Sequence, residues 1–249
     1  MSEINIEKVE ENIEVYYDNS KILLPEEYSN KVEEYWNDLI RKGKKFFRGD
    51  CYTIEDIEKS KESIRINVKL TDYAHYLYTV HRSFSTELDC RVISTSALIE
   101  TLDGRLVLGE MNSNTAAIGK LQFTGGGIDK EDIIGDCIDL RGNIKKEIFE
   151  ELGIDTNNEK FVKSLESSYL VSGGKHNFLS LVFKINLLIS EKEVLDIFNS
   201  HNDILKSKQI IPEFNSLTFI HKNKTSIEEF IINDLRDKSD NIIPVLRAI

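Results

Sequence analysis

Glu147, Glu150 and Glu151 stand in the segment KEIFEELGI, downstream of a glycine triplet at Gly125, Gly126 and Gly127 and a loop holding Asp129, Glu131, Asp132, Asp136 and Asp139. Residues three and four apart share a helix face, so Glu147 stacks over both Glu150 and Glu151. Like charges at that spacing cost a helix roughly 0.2 to 0.5 kcal/mol, and the acids also lie late in the helix, where the macrodipole favours cations. A divalent cation reverses both penalties. Mg²⁺ takes oxygen ligands only, one or two carboxylates completed by waters and phosphate oxygens. Glycines let the backbone approach a ligand and present N–H groups to phosphate. A backbone cradle beside a carboxylate face supplies what diphosphate hydrolysis needs: charge neutralisation by a metal and a base that activates water. Taken alone, EIFEELG also reads as an exposed acidic helix ended by a C-cap glycine. The glycines and the strands around them favour the site.

The elements that must position these groups are legible from pattern. The spacing predicts a helix from about Asp139 to Leu152, with Leu140, Ile144, Ile148 and Leu152 as its apolar stripe. Upstream, RVISTSALIETLDGRLVLGEM reads as two strands joined at Asp103-Gly104, and KLQFT adds a short strand before the glycines. Downstream come two long strand candidates, FVKSLESSYLVS and HNFLSLVFKINLLI, separated by Gly173-Gly174-Lys175. Ser190 and Glu193 have capping-box spacing and open a helix to about Ser200; NSLTFI is a last strand and SIEEFIINDLRD an amphipathic terminal helix.

Nearer the start, NIEVYYDN alternates like a strand. Pro25 opens a helix carrying Val32, Trp36, Leu39 and Ile40 and closed by Gly43; Ile64, Ile66, Val68 and Leu70 form a strand face, and TDYAHYLYTVHR is helical. Strands outnumber helices without strict alternation, which predicts the α+β class rather than a doubly wound parallel sheet. The chain divides into a small N-terminal α/β module at 1–88 and a larger unit at 89–249.

Composition narrows the function. A net charge of -11 opposes a nucleic-acid backbone, which is bound through Lys and Arg, so nucleic-acid partners are disfavoured. Apolar runs such as SLVFKINLLI fall short of the roughly 20 residues that span a bilayer, and the acidic start MSEINIEKVEEN lacks the regions of a signal peptide. Cys51, Cys90 and Cys137 are odd in number and far apart, indicating neither a disulfide framework nor a zinc site; a reducing cytoplasm is the expected location.

The segment 124–154 resembles the Nudix box, G-x5-E-x7-R-E-U-x-E-E-x-G-U with U aliphatic. KEIFEELGI matches its second half in register at Glu147, Glu150, Glu151, Gly153 and Ile154, with Lys146 where the pattern has Arg. The first half has two readings. Anchored on Gly126, the fourth acid is Asp132, and the interval to Lys146 is six residues longer than the pattern; anchored on Gly135, it is Asp136. The resemblance implies the Nudix fold, a mixed sheet between helices. It also implies Mg²⁺ or Mn²⁺ on Glu147, Glu150 and Glu151, phosphate at Gly125, Gly126 and Gly127, and catalytic roles for Glu147, Glu150 and Lys146. The implied substrate is a small-molecule nucleoside diphosphate linked to another moiety, cleaved to a nucleoside monophosphate. The helix with Trp36, FFRGDCYTI and LTDYAHYL are faintly similar to the N-terminal region of Nudix enzymes that cleave UDP-sugars, which favours a nucleotide sugar and makes the first module a candidate specificity region; a homodimer is compatible with this reading.

Lys146, the Asp replacement and the long loop also admit a Nudix protein that binds ligand as a sensor with little turnover, and RNA cap hydrolysis is a third reading that the charge opposes. Glu166 and Glu213 are candidates for a second base, with surface placement as the simpler reading. Tyr73, Tyr76 and Tyr78 suit a nucleobase or a core, and Lys44, Lys45 and Arg48 suit phosphate or a solvated basic turn.

Overall fold

The computed structural model describes residues 2–9, 12–44, 46–60, 62–82, 85–113, 115 and 117–249. Two mixed sheets organise the chain. The larger contains β1 (Ser2–Lys8), β5 (Ile93–Glu100), β6 (Arg105–Met111), β7 (Leu121–Gln122), β10 (Val162–Gly174), β11 (Phe178–Leu187) and β12 (Phe214–His221). Its order is β1-β10-β11-β5-β6-β12, with β7 on β6 and only β11 against β5 parallel.

Period-two alternation in β5 decides what each face of this sheet meets. Ile93, Ala97 and Ile99 share a core with Leu140, Ile144, Ile148 and Leu152 of α3 (Leu140–Leu152) and with Val194 and Phe198 of α4 (Glu191–Ser207). Leu98 faces the opposite way, with Val182, Ile227 of α5 (Lys224–Asn233) and Val245 of α6 (Ile242–Arg247). The sheet therefore lies between helices, the α+β architecture that the Nudix resemblance implies. Burying each of Ile144, Ile148 and Leu152 stabilises by about 1.5 to 3 kcal/mol, several times the repulsion among the glutamates on the same helix. Packing holds α3 in place, and its acidic face is carried along.

The smaller sheet has the order β3-β4-β2-β9-β8, from β3 (Asp50–Lys59), β4 (Ser63–Asp72), β2 (Asn12–Lys21), β9 (Cys137–Ile138) and β8 (Ile133–Ile134). Beside it, α1 (Glu26–Arg41) and α2 (Tyr73–Arg82) pack through Tyr28, Val32, Trp36, Ala74 and Tyr78. Pairing between these strands crosses the 88/89 division in two places. β1 belongs to the larger sheet, paired with β10, and the β8–β9 hairpin from the acidic loop extends the smaller one, with Cys137 opposite Tyr16.

Most predicted elements are present; β1, β3, the short 3-10 turn Lys130–Asp132, β8, β9 and α6 carry no clear signal in the sequence. β1 finds its partner across the whole chain, at β10. β3 has a register irregularity between Ile54 and Asp56 that breaks its alternation. The β8–β9 hairpin is built from two-residue strands. The segment expected as terminal ends its helix at Asn233, and α6 follows. Among the described residues no helix is long and apolar enough to cross a membrane.

Candidate active site

Asp139 caps α3, accepting a hydrogen bond from the Gly142 N–H at 2.8 Å, and Gly153 closes it in the left-handed conformation at φ 75°. Between these ends the helix presents its glutamates to residues 124–127. This segment runs antiparallel to β5: the Thr95 N–H donates to the Gly126 carbonyl at 3.0 Å and the Ala97 N–H to the Thr124 carbonyl at 2.7 Å. The fit is close enough to demand glycine. A Cβ on Gly125, at φ 146°, would collide with the Thr95 carbonyl, and one on Gly126 would lie 2.5 Å from Glu147 Oε1; Gly127 faces open space.

Glu151 is 4% exposed. One of its oxygens accepts the Gly125 N–H at 3.1 Å, and the other, Oε1, is buried without a hydrogen-bond partner. Burial, reinforced by Glu213 and Glu147, pushes its carboxyl well above the usual carboxylate range. Burial likewise raises Glu147 to about 7, with Glu150 and Glu213 adding to the shift and Lys146 opposing it. Glu213, one residue before β12, is itself raised by burial and by Glu150, although the residue is exposed. Glu150 is on the exposed rim. Four carboxyl groups thus act electrostatically on one another, and the deepest has an oxygen lacking a donor.

The departures from the box resolve geometrically. Residues 133–138 form the β8–β9 hairpin, and its base closes where the Asp139 N–H donates to the Asp132 carbonyl at 2.8 Å. With those six residues folded out, Gly126, Asp132 and Lys146 recover the box spacing: five residues, then the seven from 139 to 145. Asp132 is 6% exposed and lies 3.0 Å from Lys146 Nζ; Asp129 also pairs with Lys146, at 3.2 Å. Asp136, the other candidate for the fourth acid, is exposed at the hairpin turn, where its carbonyl accepts the Tyr17 N–H at 2.9 Å. It is held by the smaller sheet, away from the glutamates.

Asn143, fully buried, was missed in the sequence because an amide among apolar helix positions resembles a surface residue. Its Nδ2 donates to Asp132 Oδ2 at 2.8 Å and to the Gly127 carbonyl at 2.9 Å, and its Oδ1 accepts from Thr95 Oγ1 at 2.5 Å. It ties helix, loop and β5 together one turn before Glu147.

On the far side of the glycines lies a cavity of about 480 Å³, within the range of small-molecule sites. Gly125, Gly126 and Gly127 line it, as do Tyr73 and Tyr76 from the N-terminal unit; Tyr78 is buried against Tyr28 in the α1–α2 core. Arg48 is engaged by Glu33 and by Asp72 at 2.7 Å, a structural role instead of a phosphate contact; Lys45 lies outside the described residues. Glu166 is exposed on β10. His75 is buried between Thr71 and the Leu88 carbonyl.

Among the described residues no group of three or more His, Cys, Asp or Glu side chains is arranged to hold a metal ion by itself. The donor set nevertheless fits a hard cation: it is all carboxylate, its deepest oxygen is unpartnered, and Mg²⁺ draws most of its shell from waters and phosphate oxygens.

No family model matches the sequence, and no curated protein does. Solved structures similar to the chain include a protein from Deinococcus radiodurans, 10% identical over 64% of this chain and 81% of that one, with a TM-score of 0.38. A Nudix hydrolase from Nitrosomonas europaea is 12% identical over 63% and 86%, with a TM-score of 0.38. A Nudix hydrolase from M. smegmatis is 11% identical over 64% and 83%, also at 0.38. With these scores below 0.5, the reading of the site stands on the chain's own geometry.

Proposed function

We propose that the protein is a Nudix pyrophosphohydrolase, dependent on Mg²⁺ or Mn²⁺, that cleaves a nucleoside diphosphate linked to another moiety, a nucleotide sugar above all, in a reducing cytoplasm. One observation carries the reading: the buried Glu151 carboxylate is fixed by the Gly125 N–H on one oxygen and unpartnered on the other, beside Glu147, whose carboxyl abuts Gly126. Glu147, Glu150 and Glu151 would hold the cation, which when bound supplies charge neutralisation for the diphosphate and acidifies water. The bare backbone of Gly127 faces open space and leaves room for phosphate oxygens beside the cavity; the Glu147 carboxylate fills the space at Gly126, and the Gly125 amide is already engaged by Glu151. Glu147 or Glu150 would take a proton from an attacking water, with Glu213 as a third candidate; the raised carboxyls of Glu147 and Glu213 support this reading. Lys146 pairs with Asp129 and Asp132, so its role is to position the helix.

A metal-dependent hydrolysis screen over UDP-sugars, ADP-ribose, dinucleoside polyphosphates and capped RNA, with products weighed by mass spectrometry, tests this. Release of a nucleoside monophosphate that is lost in Glu151→Gln is expected. Turnover that survives Glu151→Gln and Glu147→Gln together would remove the assignment.

A further inference from the structure

The proposed function leaves open what occupies the cavity beyond the glycines. Tyr73 and Tyr76 stand one turn apart on α2, their ring centroids 5.6 Å apart and the planes inclined by 32°. Both rings are half-buried against the cavity, with Phe178 also lining it. Among the described residues neither phenol oxygen is a buried group lacking a partner, so each hydroxyl stays accessible. Burial raises both phenols, Tyr76 to about 12, so each keeps its proton and can donate.

Among apolar neighbours such as Val92, Ile93 and Phe123, part of the lining is a connected patch of neutral polar groups. Ser96 Oγ and Ser180 Oγ are 3.0 Å apart, and Asn241 Nδ2 donates to Ser96 Oγ at 3.2 Å. The charged lining residues, Lys120 and Asp240, are opposite in sign, so the cavity offers no net charge to a second anionic group. Apolar ring faces combined with a hydroxyl and amide patch match a flat heteroaromatic ring, which stacks on its faces and hydrogen-bonds along its edge. A sugar, with hydroxyls around its whole perimeter, would leave several unpaired against the rings.

We infer that this cavity is a nucleobase subsite and that Tyr73 and Tyr76, contributed by the N-terminal unit, are its specificity-determining residues. The inference rests on reading the glycine and acid face as the diphosphate site, which orients the nucleoside into the cavity. The unit at 1–88 then forms one wall of the substrate site, held in register with α3 by the β8–β9 hairpin.

Calorimetric titration of the metal-free protein in EDTA with AMP, GMP, CMP, UMP and ribose 5-phosphate tests this without any turnover. At least one nucleoside monophosphate should bind about 10-fold or more tightly than ribose 5-phosphate, the effect of one stacked base. Tyr73→Leu and Tyr76→Leu should erase that advantage. Tyr73→Phe and Tyr76→Phe, which keep the rings and the packing, should retain tight binding but change the ranking among the four bases, and they decide the matter if the Leu variants unfold. Equal binding of ribose 5-phosphate and all four monophosphates, or a ranking unmoved by every tyrosine variant, overturns the inference. The two readings fail separately: base-selective binding without hydrolysis of any substrate removes the hydrolase and keeps the subsite, while hydrolysis without base selectivity does the reverse.

Discussion

Lys146 Nζ lies 3.0 Å from Asp132 Oδ1 although the box pattern spaces their positions six residues closer in sequence. The hairpin that absorbs the difference closes on Asp132 itself, so a lengthened loop leaves the pair intact. Asp132 also receives Asn143, and its removal would leave the half-buried Lys146 ammonium with the exposed Asp129 alone and Asn143 Nδ2 with the Gly127 carbonyl alone. Asp132→Ala should destabilise the protein by about 3 kcal/mol, the scale for breaking a buried pair, read from urea denaturation. Lys146→Arg should retain stability and turnover, because a planar fork can serve Asp129 and Asp132 at once.

The three glycines should respond differently to alanine. Gly126→Ala drives a methyl into Glu147, so turnover should fall at least about 10-fold while folding survives by displacement of a flexible carboxylate. Gly125→Ala meets backbone at positive φ and should destabilise by about 2 kcal/mol or more. Gly127→Ala meets nothing and should stay within about 0.5 kcal/mol of the parent. Thermal melts and steady-state rates on the three proteins separate these outcomes; equal effects would contradict the packing.

Glu147 and Glu151 have folded carboxyls raised above their unfolded values, so the folded state binds more protons than the unfolded one between about pH 4.5 and 7. Their contribution to stability is therefore greatest at low pH and is lost as pH rises through the folded pKa. In metal-free protein, the melting temperature of Glu151→Gln relative to the parent should climb between pH 5 and pH 8. Added Mg²⁺ at pH 8 should raise the parent and leave the variant nearly unmoved. Parallel curves for the two proteins would contradict the buried-acid account.

Deleting residues 133–138 restores the box interval and removes β8 and β9. The Lys146–Asp132 pair should persist, since the Asp139 N–H already meets the Asp132 carbonyl. Amide exchange should accelerate in β2, which loses its neighbour at Cys137. Unchanged protection at residues 12–21 would show that the hairpin does not brace that strand.

The acidic face of α3 was legible in the sequence because helix periodicity alone sets Glu147, Glu150 and Glu151 on one side above Ile144, Ile148 and Leu152. The hairpin at Asp103-Gly104 and the Ser190 capping box were legible for the same reason: their signals are local. The choice between Asp132 and Asp136 was not, because it depends on a six-residue excursion stabilised by β2, more than a hundred residues upstream in the chain. Asn143 carried no local signal, and the destination of β1 could not be read from Ile4 and Ile6 when its partner begins at Val162.

β1 has a further implication for how this protein could be dissected or recombined. A polypeptide started at residue 89 would bare the flank of β10 from Tyr169 to Gly174, an invitation to intermolecular strand addition. One stopped at residue 88 would carry an orphaned ribbon at its head and lack the two short strands that finish its own sheet. The halves are thus interleaved like clasped fingers, and a synthetic Ser2–Lys8 peptide supplied in trans is the natural way to rescue a shortened form.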